Sequence, residues 1–138
     1  MRRFRNDDEG SVMLLTLGYA VLAIAVILVC VDATSLYIGQ KRLDSLADAA
    51  ALAGADGFTL TVVDDEPVAL LSSDAVRAQA DAIVVAVGGG AALVSAGTAD
   101  GVSARVTVAR TWRPPVMTLF VPEGVALEAT ATSRTALR

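Results

Sequence analysis

The chain has 138 residues, no histidine, a single cysteine, and eleven Lys or Arg against fifteen Asp or Glu, for a formal net charge of −4. An acidic balance argues against nucleic acid as a partner, because phosphate binding depends on clustered positive charge. One cysteine and no histidine leave neither a disulfide framework nor a Cys/His metal site within one chain, so no metal and no other cofactor is expected.

From Val12 to Val31 the sequence is an unbroken apolar run with no charge and no proline. At about 1.5 Å per helical residue it covers roughly 30 Å, the thickness of a bilayer's hydrocarbon layer. Twelve of its residues are Val, Leu or Ile, and each favours insertion by very roughly 0.3 to 0.6 kcal/mol near the helix centre. A buried helix of a soluble domain seldom continues this far without a polar face. Cys30 lies inside the run, and Val29 before it is not the small residue that lipid attachment requires.

Arg2, Arg3 and Arg5 precede the run, and the first basic residues after it are Lys41 and Arg42. Basic residues set orientation, so the N-terminus is expected inside and the C-terminal part outside the cytoplasmic membrane, in a single pass. The alternative is a cleavable secretory signal ending near Val31-Asp32-Ala33, which would release a small secreted binding module. Length opposes it, since signal cores usually span about 7 to 15 residues.

Helical character continues from Thr34 to Asp56, where Leu36, Leu43, Ala47, Ala50 and Gly54 fall within about 40° of one line on a helical wheel. Lys41, Asp44 and Asp48 gather on a neighbouring polar arc. The expected element is one helix over 12–56, roughly 65 Å long. The small residues Ala47, Ala49, Ala50, Ala51, Ala53, Gly54 and Ala55 let another backbone approach closely. That approach serves either docking of the chain's own outer domain or packing with neighbouring helices, and different faces can do each. The candidate helix contacts are Gly18, Leu36, Leu43, Ala47, Ala50 and Gly54.

The ordered set Glu9-Gly10-Ser11, the apolar run, Asp32, Leu36-Tyr37-Ile38, Lys41-Arg42-Leu43 and the Ala47 to Ala55 stretch resembles the N-terminal segment of the TadE/TadG-like proteins of Flp (Tad) pilus assembly. The resemblance covers about residues 9–56. It implies a pilin-like or pilus-accessory protein, anchored by its first helix and displaying a small β-rich domain outside. The implied partners are membrane lipid and other pilin-like or Tad-type assembly proteins, and no catalysis is implied. Processed prepilins are cut after a glycine and carry a glutamate five residues into the mature chain. If Gly10 is that glycine, the position holds Leu15, which favours a permanently anchored TadG-like role over a cleaved TadE-like one.

In the outer part, Phe58 to Val63 reads as a strand, ended by a solvated acidic loop, Asp64-Asp65-Glu66-Pro67, that lacks the ligand spacing of a calcium-binding EF-hand. A helix follows, N-capped by Ser72 or Ser73 and stopped by Gly88-Gly89-Gly90. Its expected apolar face is Val76, Ala80, Ile83, Val84 and Val87, with Arg77 and Asp81 forming an i,i+4 pair. The triple glycine follows a helix instead of opening one, so it reads as a turn and not a phosphate loop.

After the Asp100-Gly101 turn, Val102, Ala104, Val106 and Val108 alternate with Ser103, Arg105 and Thr107, the period of a half-buried strand. The same parity puts Arg110 and Trp112 on the inner face near its rim. Pro114 and Pro115 break the ladder. Val116 to Val121 is expected as another strand, Pro122-Glu123-Gly124 as a turn, and Val125, Leu127, Ala129 and Ala131 mark a last strand. An antiparallel meander with one helix on its face is the natural assembly. Arg105, Arg110, Arg113 and Trp112 are candidates for a basic-aromatic contact with a polyanion or lipid headgroups. Strand-rim charges around one large apolar plug account for them equally well.

No catalytic constellation is present: no Gly-x-Ser-x-Gly, no histidine base, no nucleophilic cysteine outside the apolar run. Ser45 lies four residues after Lys41, the only lysine, but an exposed lysine keeps its proton and is no base. No small-molecule substrate and no enzymatic activity are expected. The expected class is α+β: a long N-terminal transmembrane helix continuing outside the membrane, then a small antiparallel sheet with one packed helix. Its parts are a cytoplasmic N-terminus (1–11), the span (12–31), the helix extension (32–56) and a small extracytoplasmic domain (57–138).

Overall fold

The computed structural model describes residues 7–135; Arg2, Arg3 and Arg5, which carry the expected orientation, lie outside the described residues. A single helix, α1 (Asp7–Ala55), contains both the apolar run and its extension without interruption. At 1.5 Å per residue it is about 73 Å long. By length and composition it is the one helix among the described residues able to cross a membrane, and its apolar window, of mean hydropathy 2.8, is nowhere buried by the rest of the chain.

The upper part of α1 behaves differently. Leu43, Leu46, Ala47, Ala50, Ala51 and Ala55, spaced by three and four residues, are buried and form one side of the core. α1 ends in a tightened turn, with the Gly57 N–H donating to the Gly54 carbonyl at 3.2 Å.

The hairpin β1 (Thr59–Val63) and β2 (Glu66–Leu70) follows, paired antiparallel with Val63 opposite Glu66. The expected acidic loop is shorter than its sequence suggests: only Asp64 and Asp65 form the turn, and Glu66 and Pro67 enter a strand. Both turn residues have positive φ, 53° and 66°, the conformation of a two-residue type I′ hairpin, which Asp tolerates. The pair flanking such a turn exchanges hydrogen bonds, so Pro67, opposite Val62, falls at the next, outward-facing position where no donor is needed.

Helix α2 (Ser73–Val87) opens on Ser72, whose hydroxyl accepts from the Ala75 N–H, and closes on Gly88. Val76, Ala80 and Val84 are buried against the core. Val87, expected on the same face, is exposed. Burial follows the i+4 row Val76, Ala80, Val84, Gly88, which turns about 40° per step, so contact has rotated away from Val87 by the last turn. Arg77 and Asp81 do not pair; the ion pair among the described residues is Lys41 to Asp44, at 3.5 Å.

The main sheet contains β3 (Ala92–Gly97), β4 (Ser103–Trp112) and β5 (Val125–Arg134), antiparallel in that spatial order. Ala104, Val106 and Val108 of β4 are buried, so the expected alternation puts this face on α1 while α2 packs on α1 and β3. A bulge at Val94 shifts the β3 register between Leu93 and Ser95. On the opposite face the paired Thr107 and Thr130 hydroxyls meet at 2.9 Å.

The strand expected over Val116 to Val121 does not form. β4 and β5 pair directly from Trp112 opposite Val125, so residues 113–124 loop out beyond the sheet with no ladder to join. That loop is closed by its own turns, Phe120 N–H and Val121 N–H both donating to the Met117 carbonyl at 2.9 and 3.1 Å. Gly124, at φ 77°, returns the chain to β5 where an added Cβ would strike the Trp112 carbonyl oxygen.

Candidate functional site at the helix and head junction

The sheet meets α1 along a ladder of contacts that fixes their relative height. At the top, a Cβ added to Gly54 would lie 3.0 Å from a methyl of Val76 and 3.4 Å from Ala104 Cβ. Two-thirds of the way down, a Cβ on Gly39 would lie 3.3 Å from Trp112 Cδ1 and 3.6 Å from Leu127 Cδ1. One turn lower the Trp112 indole N–H donates to Ser35 Oγ at 3.2 Å. Lowest of all, the Val116 N–H donates to Asp32 Oδ1 at 3.1 Å. β4 thus descends α1, antiparallel to it, and delivers its far end to the last turn before the apolar run.

Asp32 is 7% exposed, and its second oxygen, Oδ2, is buried without a partner. Gln40 adds a second tie, its amide donating to Asp44 Oδ1 at 3.0 Å and to the Glu128 carbonyl at 3.1 Å.

Between the helix and this end of the sheet lies an open groove of about 1170 Å³. Its lower wall belongs to the apolar run, with Val26, Ile27, Cys30 and Val31, and its upper wall carries Arg42, Arg110 and Arg113 around Trp112. Of the four basic-aromatic candidates, Arg110, Trp112 and Arg113 therefore come together. Arg105 does not: it has the opposite parity on β4, pairs with Thr132 and Gly97, and is exposed on the other face. Arg42, expected as a basic residue beyond the span and within the Lys41-Arg42-Leu43 stretch, joins the set; its spacing of seven from Ser35 is the signal that puts both on one face. A smaller groove of about 620 Å³ shares Arg42 and Arg110 and is bordered by Tyr37, Lys41 and Val87.

The helix-contact candidates divide. Leu43, Ala47, Ala50 and Gly54 are buried in the chain's own core and Leu36 packs on its edge, whereas a Cβ added to Gly18 would meet nothing within 4 Å. Ser45 and Lys41 form no reactive pair, because the Ser45 hydroxyl donates to the Lys41 carbonyl at 3.0 Å and the Lys41 ammonium faces Asp44. Among the described residues no three His, Cys, Asp or Glu side chains cluster as metal ligands. At the opposite end of the head, Asp100 holds the β3 to β4 turn. It accepts from the Val102 and Ser103 N–H groups at 3.0 and 2.6 Å and from the Ser103 hydroxyl at 2.8 Å. Those donors, the two backbone groups foremost, hold its carboxyl well below the usual carboxylate range.

Residues 10–57 match the family model of putative Flp pilus-assembly TadE/G-like proteins. The match spans most of α1 and stops where the head begins. No curated protein and no solved structure matches the chain.

Proposed function

We propose that this chain, with its TadE/G-like domain over residues 10–57, is a single-span accessory component of Flp-type pilus assembly that displays a non-catalytic head outside the cytoplasmic membrane. One observation carries the reading: a single unbroken helix is unburied along its apolar part and fused to the head along its upper part. Such a helix serves as anchor and post at once. The basic residues before the run, Arg2, Arg3 and Arg5, support an N-terminus inside. Leu15, where a processed prepilin has glutamate, supports permanent anchoring in the TadG manner. Neighbouring pilin-like or Tad-type proteins would meet the helix below the head, where Gly18 is open to close approach, because Ala47, Ala50 and Gly54 above it are buried within the chain's own core.

Release as a secreted module would need a cut near Ala33, through the middle of α1 and just past Asp32, which binds the head. Carbonate extraction with intact mass of the native product decides between the two: full-length protein in the membrane pellet supports the anchor, and a fragment beginning near Thr34 in the medium refutes it. Protease added to spheroplasts should remove the head. Loss of pili in a deletion strain tests the pilus role, and an unchanged pilus count overturns that role.

A further inference from the structure

We propose that the head stands on the bilayer through a second foot, the 113–124 loop, which lays Leu119 and Phe120 into the lipid interface beside the span. This rests on the anchor reading above and adds a lipid-binding surface to it. Height is the first argument. The contacts of Ala104 with Gly54, Trp112 with Gly39 and Val116 with Asp32 show β4 and the start of the loop after it descending α1 until Val116 is level with the first charged residue after the apolar run. The loop continues from that level, outside the sheet, before Gly124 turns it back. Leu28, one turn below Asp32 on the same face, is the least exposed large apolar residue of the run, as a foot extending below Asp32 requires.

Chemistry is the second argument. No charge occurs between Arg113 and Glu123, and Leu119 and Phe120 are 92% and 79% exposed, outside the buried core. The Phe120 and Val121 N–H groups are already bonded to the Met117 carbonyl, so this part of the tip enters an apolar phase without stranding those donors. Above the tip, Arg110 and Arg113 face the groove whose floor is the apolar run. Cationic groups at that height meet the phosphates of the surrounding phospholipids, and Trp112 occupies the depth where amphipathic rings gather in membrane proteins. Lipid, and not a second copy of the chain, is the occupant because the exposed tip is continuous with a surface that already faces lipid.

The test uses the full-length chain in nanodiscs of phosphatidylcholine and phosphatidylglycerol. An environment-sensitive fluorophore is attached to Leu119→Cys in a Cys30→Ser background, and nitroxide-bearing lipids are the quencher. Leu119 is 92% exposed, so the substitution leaves folding intact. The native Cys30, in the span, and Val85→Cys, on the exposed side of α2, provide the lipid and water references. The expected result is a blue-shifted label at 119, quenched several-fold more strongly than the label at 85 and within reach of that at 30. A label at 119 that behaves like that at 85, while the one at 30 is quenched, overturns the foot and leaves the anchor standing. If the label at 30 is also unquenched, the anchor fails and the foot with it. A blue-shifted but unquenched label that depends on the number of chains per disc shows a second copy over the tip, and also overturns the proposal.

Discussion

Replacing Gly54 by valine tests whether the small-residue stripe of α1 is there to admit the chain's own head. A Cβ at this position already sits 3.0 Å from Val76 Cγ1 and 3.4 Å from Ala104 Cβ, where carbon pairs at rest prefer about 3.5 to 4.0 Å. Both neighbours are fully buried and cannot yield toward solvent. Valine adds two further methyls, and overpacking of this kind costs about 1 to 3 kcal/mol. Helix propensity returns only about 0.3 to 0.5 kcal/mol of that. The net loss is about 0.5 to 2.7 kcal/mol, which lowers a urea midpoint by roughly 1 M for a head of this size. The assay is denaturant unfolding of the full chain in nanodiscs, followed by Trp112, the only tryptophan. Gly18→Val, with nothing within 4 Å, is the matched control and should leave the midpoint unchanged. An unshifted midpoint in Gly54→Val refutes the docking argument, and an equal shift in both variants shows that the effect comes from the helix and not from the contact.

Ala50→Leu should destabilise the head by a similar 1 to 3 kcal/mol, because Ala50 is completely buried in the core, and it should do so without releasing the protein from a carbonate-washed membrane. Ser35→Ala removes the acceptor of the Trp112 indole N–H and should cost about 1 kcal/mol, read as a lower unfolding midpoint together with a shift in tryptophan emission. Asp32→Ala leaves the Val116 N–H without its acceptor; at about 1 to 2 kcal/mol, opening of the loop becomes roughly tenfold more frequent, measured as faster amide exchange at Val116 with α2 unaffected. Asp100 has its folded pKa depressed by donated hydrogen bonds, so its stabilisation is complete above the unfolded value of about 4 and is lost as pH falls toward the folded one. The difference in unfolding midpoint between wild type and Asp100→Asn should therefore be largest near neutrality and shrink below about pH 4; a difference constant with pH refutes it.

Local pattern made most of the fold legible. The apolar run and the stripe above it share the helical period, so α1 was readable through its whole docked length, and the alternation of Ala104, Val106 and Val108 identified the buried face of β4. β3 was not readable, because Ala91, Ala92, Ser95, Ala96 and Gly97 offer little β preference and the bulge at Val94 breaks the period; pairing with β4 makes it a strand. β2 was hidden by Glu66 and Pro67, which resemble turn residues until the hairpin register shows Pro67 facing outward. At the junction, strand parity places Arg110 and Trp112 and the helical spacing from Ser35 places Arg42, but Asp32 owes its role to a contact across the fold. Asp32 in particular reads as a mere boundary to the span, since the backbone it holds is 84 residues away.

The segment from Val116 to Val121, apolar like a strand yet looped out of the sheet, carries the most physical information. Its six residues are apolar enough for a buried strand, and a short apolar run cannot be assigned to strand or anything else by periodicity. Burial in protein is the default inference for such a run because a soluble chain has only one apolar phase to offer, its own core. A chain anchored in a membrane, as proposed for this one, has two. Once β4 and β5 pair from Trp112 to Val125, the segment has no strand to join and no core to enter, and Asp32 holds its first residue at the edge of the apolar run. Hydrophobicity specifies that these side chains leave water, and the height of the contact ladder on α1 specifies where they go. The same ladder makes post and head one body from Asp32 to Ala55, about 35 Å of helix, so a foot placed on lipid at its lower end would set the tilt of everything above it.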